Sequence, residues 1–157
     1  MEYVEFNRAG RALVVELQAL SLQNVVNDFT NNLDKLATHM AKNIGKDIHH
    51  TVNEFKHTPL EQEHPYCWMV WMARGCLFMR VAQSNNKNFN LKTSTAIRKA
   101  YSETLKKHHS MLAAGVSISA FTFLEKTIDS SLVDWDAVKR HVDTILSICD
   151  KHGIDYN

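Results

Sequence analysis

Proline is scarce in this 157-residue chain, which has only Pro59 and Pro65, and glycine occurs five times. Valine and isoleucine nowhere alternate with polar residues. With few turn formers and no period-two pattern, the sequence offers no strands. Cysteine is also sparse: Cys67, Cys76 and Cys149 make an odd count with no CxxC. That argues against a disulfide framework and for buried, reduced thiols in a cytoplasmic protein. The net charge is only +1, so no strong electrostatic case exists for nucleic acid or for steady binding to an anionic membrane. No apolar run reaches the roughly 20 residues of a membrane span. The first residues lack the basic start and apolar core of a secretory signal, and no lipidation signal is visible. The expectation is a soluble protein whose membrane contact is peripheral and transient.

Steps of three and four between apolar residues fill the chain instead, and predict an all-α fold. A length of 157 residues with 45% hydrophobic and 22% charged residues suits one domain, 1–157, with one core. Phe6, Ala9, Leu13, Leu17 and Leu20 predict a first helix over about Tyr3 to Leu20. Ser21 is a plausible cap for a second helix from Leu22 to Asn43 or Lys46. Its apolar face holds Val25, Val26, Phe29, Leu33, Leu36 and Met40. A short helix through Val52–Phe55 and a surface loop over His57–Pro65 follow. Tyr66 to Gln83 is apolar nearly all round, which predicts a central buried helix. Ser84 to Thr93 is polar and Asn-rich and reads as a loop. A long helix is expected from Ser94 to Gly115 or beyond, then an apolar stretch from Val116 to Ile128. The last helix, capped by Asp134 or Ser131, runs to Lys151 and ends at Gly153.

Nine histidines raise the question of a metal and of sensitivity to pH near 6. None forms an HxxxH or HExxH pair, and doublets in or near loops are usually surface residues, so no metal or other cofactor is expected. No GxSxG, GxGxxG, P-loop or kinase signature occurs. The thiol of Cys76 lies in an apolar helix, where it would be inert. No enzyme activity is expected.

Asp28, Asn32 and Lys35 stand at i, i+4 and i+7 of the second helix. They form a row of acceptor, amide and cation about 110° from the centre of the apolar face. Such a row flanks the core. Alone it is better explained as a solvated face, since amphipathic helices ordinarily carry one. Trp71 alone is likewise better explained as core, and Arg74 as a member of a structural ion pair.

Three pieces in order change that weighting. Asp28-x3-Asn32-x2-Lys35 is followed by Trp71-Met72-Ala73-Arg74-Gly75, then by Ala100-Tyr101 with Leu105-Lys106-Lys107-His108-His109. This arrangement resembles the glycolipid transfer protein family over about residues 5–157. The resemblance implies a two-layer helical sandwich enclosing an apolar lipid sleeve. It implies non-enzymatic binding and intermembrane transfer of a glycosphingolipid by a monomer. Asp28 and Asn32 would meet sugar hydroxyls and the ceramide amide, Lys35 would donate to the sugar, and Trp71 would stack on it. His109 would donate to the acyl carbonyl, although on a simple wheel His108 lies nearer the apolar stripe. Tyr156, near the end of the chain, completes the headgroup set. Val25, Phe29, Leu33, Leu36, Phe78 and Leu112 would line the tail pocket. Members that carry ceramide-1-phosphate place cations where Asn32, Trp71 and Gly75 stand, so a neutral sugar-ceramide is favoured here. Met111 replaces a tryptophan of the family's type member. Tyr66 or Trp68 could help membrane docking. A carrier or sensor of ceramide-1-phosphate or another sphingolipid, and a ligand-free helical adaptor, remain as alternatives.

Overall fold

A computed structural model describes residues 1–20, 22–111, 113–114, 117 and 133–157. The expected cap Ser21, the pocket residue Leu112, the alternative cap Ser131 and the apolar stretch over 116–128, except Ser117, lie outside them. The described elements are α1 (Glu2–Gln18), α2 (Gln23–Lys42), α3 (Ile48–Phe55), α4 (Pro65–Asn88), α5 (Thr93–Glu103), a 3-10 turn (Leu105–His108) and α6 (Trp135–Lys151). All are helical, as the spacing predicts.

The helices α1, α3, α4 and α6 start where a side chain satisfies free amides. Asp47 caps α3, with the His50 ring accepting from the Asp47 amide at 3.0 Å. The same carboxylate accepts from the Glu2 and Tyr3 amides of α1 at 3.0 and 2.8 Å. One residue thus ties two helix starts together, and those bonds hold its own pKa below the ordinary value against the effect of burial. His64 caps α4 through Nδ1, which accepts from the Cys67 amide at 3.1 Å, and Pro65 takes the first turn. Asp134 caps α6 by accepting from the Ala137 amide at 3.0 Å.

α4 is the central element. It packs on α2, α5 and α6, while α1 packs on both α2 and α6. The stripe Phe6–Leu13–Leu17 of α1 meets Val138, Val142, Ile145 and Leu146 of α6 in one continuous buried cluster. Cys67, Cys76 and Cys149 are free and buried. Burial pushes the Cys149 thiol up to about 12 and raises that of Cys76 well above its ordinary value, which keeps both protonated.

Two boundaries differ from expectation. Ser84 to Asn88 is not a loop but the last turn and more of α4. Its asparagines find partners: Asn85 donates to the Ala96 carbonyl of α5 at 3.3 Å, and Asn88 to the Ser84 hydroxyl at 3.0 Å. The helix from Ser94 does not reach Gly115. It stops at Glu103, and Thr104 (φ −124, ψ −78) bonds the Ala100 carbonyl through Oγ1 at 2.7 Å. That local bond competes with helix continuation.

Candidate functional site

The 3-10 turn that follows the break at Thr104 brings His109 over α4. The Tyr101 hydroxyl and His109 Nδ1 share a 2.8 Å hydrogen bond. The His109 ring stacks on Trp71 with centroids 6.0 Å apart and planes 26° from parallel. His108 meets Trp71 edge-on at 6.4 Å. Trp71 is therefore held by contacts with both histidines. The Arg74 guanidinium also lies over the indole, 4.9 Å from its centroid. Arg74 thus stacks on Trp71, and the expected ion pair is not found among the described residues. Its buried Nε has no hydrogen-bond partner, and burial lowers its pKa, with Asp155 opposing from a distance.

Beside this cluster opens a cleft of about 310 Å³ between α2, α4 and α5. Asp28, Asn32 and Lys35 line it from α2, Trp71 from α4, and His109 from the turn. The structure thus gathers five of the six expected headgroup residues at one place. Val25 and Phe29 line it as well, as do Met72, Gly75, Tyr101, Leu105 and Ser117. Phe29 forms part of the floor because Gly75 has no side chain. A Cβ there would stand 2.6 Å from Phe29 Cζ.

The cleft is electrostatically uneven. Burial raises the Asp28 pKa above the ordinary carboxylate value, and His109 partly offsets it. Burial lowers the His109 pKa, and Asp28 partly offsets that. Each group is partly desolvated and faces the other as a weak counter-charge. At the lip, Lys35 Nζ bonds Glu63 Oε2 at 3.1 Å, and the same oxygen accepts from Trp68 Nε1 at 2.7 Å. Glu63 therefore fixes Lys35 at the edge and ties Trp68 to the α3–α4 loop.

Five expected site residues sit elsewhere, or lie outside the described residues. The Tyr156 hydroxyl donates to Asp150 at 2.6 Å and does not line the cleft. The reason is the turn at Gly153 (φ +66): the Ile154 amide returns to the Cys149 carbonyl at 3.0 Å, which folds the tail against the end of α6. Burial and Asp150 push the Tyr156 pKa up to about 12. Leu33, Leu36 and Phe78 pack into the core at 1%, 1% and 0% exposure and do not line the cleft. Leu33 fills the space left by Gly10, and Phe78 meets the edge of Tyr101. Leu112 lies outside the described residues. Tyr66, a possible docking residue, is buried, whereas Met111 is 94% exposed.

Sequence reasoning missed Asn24 and Asn31, which also line the cleft. Their signal was present. They stand at i−4 and i+3 from Asp28, on the same helix face.

Among the described residues no helix is long and apolar enough to cross a membrane. Nor does any group of three or more His, Cys, Asp or Glu residues there suit a metal ion.

The described residues form an all-helical body with a part-polar cleft beside a filled core. The profile described as Glycolipid transfer protein (GLTP) matches residues 2–130. The chain belongs to the glycolipid transfer protein family, which consists of lipid transfer proteins and not of enzymes. A comparison of structures finds the crystal structure of HET-C2, a fungal glycolipid transfer protein, at TM-score 0.70 and 20% identity. That match covers 98% of this chain and 87% of the other, and it shows the shared fold. A comparison with curated proteins found no match.

Proposed function

We propose that this chain works as one domain that binds a neutral glycosphingolipid and carries it between membranes. The observation that supports this most is the convergence of Asp28, Asn32, Lys35, Trp71 and His109 on one cleft, in a member of this family. A sugar offers hydroxyl donors and acceptors and an apolar C–H face. A carboxylate and an amide suit the first, and an indole suits the second. The lowered pKa keeps His109 neutral near pH 7. In the tautomer whose Nδ1 accepts from the Tyr101 phenol, Nε2 carries the ring proton and can donate to the amide carbonyl of ceramide.

The charge of the cleft favours a neutral headgroup. Lys35 is already paired with Glu63, and Arg74 is not among the lining residues. A phosphate would need cations there. The tails enter by parting helices, because Leu33, Leu36 and Phe78 are packed in the core. Each methylene that becomes buried contributes about 0.8 kcal/mol. Tails therefore supply affinity, and the cleft supplies choice.

Transfer of fluorescent galactosylceramide between vesicles tests this reading. The wild type should transfer it, and Asp28→Val and Trp71→Ala should each lose about tenfold or more of the rate. Binding without transfer would make the protein a sensor. Unchanged rates in both folded variants would sink the site assignment.

A further inference from the structure

Lys35 is the only lysine or arginine among the described residues that line the cleft. It does not stand free. Its Nζ donates at 3.1 Å to Glu63 Oε2, from the loop between α3 and α4. The same oxygen accepts from Trp68 Nε1 at 2.7 Å. One carboxylate oxygen therefore joins a side chain of α2 to one of α4 across the lip.

The loop holds that carboxylate in place. The next residue, His64, is buried; it accepts from the Cys67 amide and meets the Pro59 carbonyl at 3.0 Å. Trp68 stands in the first turns of α4 and gives Glu63 a second anchor. The bonds from Trp68 and Lys35 hold the Glu63 pKa below its ordinary value, so the carboxylate is charged near pH 7.

Stability is not what this pair supplies. The Lys35 and Glu63 side chains are 45% and 68% exposed, and an ion pair so exposed contributes little to folding. Its effect on an incoming charge is larger. Burial keeps His109 neutral, and Arg74 lies over Trp71, outside the lining. An anionic headgroup at the mouth meets two carboxylates, Asp28 and Glu63, and one lysine that is already paired. To reach Lys35 it has to displace Glu63 and leave a like charge beside itself. A neutral sugar can share Lys35 with Glu63, because a hydroxyl both accepts and donates.

We infer that Glu63 is a specificity-determining residue: it pairs with Lys35 at the lip and repels sulfated or phosphorylated headgroups. The inference rests on the glycosphingolipid reading above. The selection works by penalising the wrong ligand, and Glu63 lies outside the residues that line the cleft.

The test compares galactosylceramide with its sulfate ester, sulfatide, in transfer between vesicles. The readout is the ratio of the sulfatide rate to the galactosylceramide rate, which a loss of folded protein does not change. The wild-type ratio should lie well below one. Glu63→Gln keeps an acceptor for Trp68 and removes the charge, and its ratio should rise by about threefold to tenfold, as expected for one charge at an exposed edge. Glu61→Gln removes the same charge from an exposed position of the same loop. It controls for general attraction to an anionic lipid, and its ratio should stay within about twofold of wild type. Raising salt from about 0.05 to 0.5 M should raise the wild-type ratio about twofold, because screening weakens the repulsion. An unchanged ratio in Glu63→Gln, or an equal rise in Glu61→Gln, would overturn the filter and leave galactosylceramide transfer standing. So would a wild type that carries both lipids equally fast. Should Glu63→Gln carry neither lipid, a wild-type ratio that does not rise with salt would overturn the filter. A wild type that transfers neither lipid would overturn both readings.

Discussion

The two sides of α4 solve different problems. Towards α6 it packs on a helix whose Val138, Val142, Ile145 and Leu146 are all fully buried. That side is a closed apolar contact. Towards α2 and α5 the same helix presents Trp71 and Gly75 to a cleft, where Asp28 and His109 are partly desolvated without direct partners for their charge. The first side is built for stability. The second holds polar groups in an environment that disfavours their ionised forms, which suits the proposed ligand site. A binding site can thus lie a single helix away from a saturated core.

The sharpest way to break this contrast is to damage each side in turn. Leu146→Ala on the closed side should cost about 3 kcal/mol of stability by opening a cavity, read from denaturant unfolding. Transfer per folded molecule should be nearly unchanged. Gly75→Ala on the cleft side should cost about 1–3 kcal/mol, because the new methyl meets the Phe29 ring. Here transfer should fall as well, since Phe29 is part of the floor. If Leu146→Ala abolished transfer in protein shown to be folded, the division would be wrong.

A smaller effect comes from protons. His39, His108 and His109 have pKa values lowered from 6.5, mainly by burial. The unfolded chain therefore takes up these protons first. Stability is present above about pH 6.5 and is lost as pH falls through the lower folded values. The Tm should drop by about 2–4 °C between pH 7.5 and 5.5. Asp28 works with the opposite sign, because its raised pKa favours the folded state on acidification. Asp28→Asn should steepen the drop. A Tm that rises on acidification in the wild type would contradict the account of the cleft histidines.

Much of this was legible in the sequence, and the physical reasons are specific. Apolar spacing marked α1, α2 and α6 because each buries one stripe. It overran at Thr104, where a hydroxyl-to-carbonyl bond ends α5. A wheel drawn through that break places His108 inward. The real turn instead brings His109 to line the cleft. The motif spacing carried the information that periodicity could not. The α4 terminus was missed for a related reason: asparagines read as loop formers, yet Asn85 is buried and bonded to α5. Tyr156 was misplaced because the left-handed turn at Gly153 sets the direction of the tail. Pocket depth has no sequence signature either. Leu33, Leu36 and Phe78 have the composition of a sleeve, but they are packed as core. Asn24 and Asn31 have the composition of solvent face, but they line the cleft.

On the proposed function the cleft trades stability for recognition, and Asp28 is where that trade is most exposed. Asp28→Asn keeps the shape and removes a carboxylate that burial disfavours. The decisive measurement is the thermal midpoint of this variant at pH 7.5, taken together with its glycosphingolipid transfer rate. The midpoint should stay level or rise, while transfer falls about tenfold or more. A variant that melts lower and still transfers at the wild-type rate would show that Asp28 supports the fold and not the ligand.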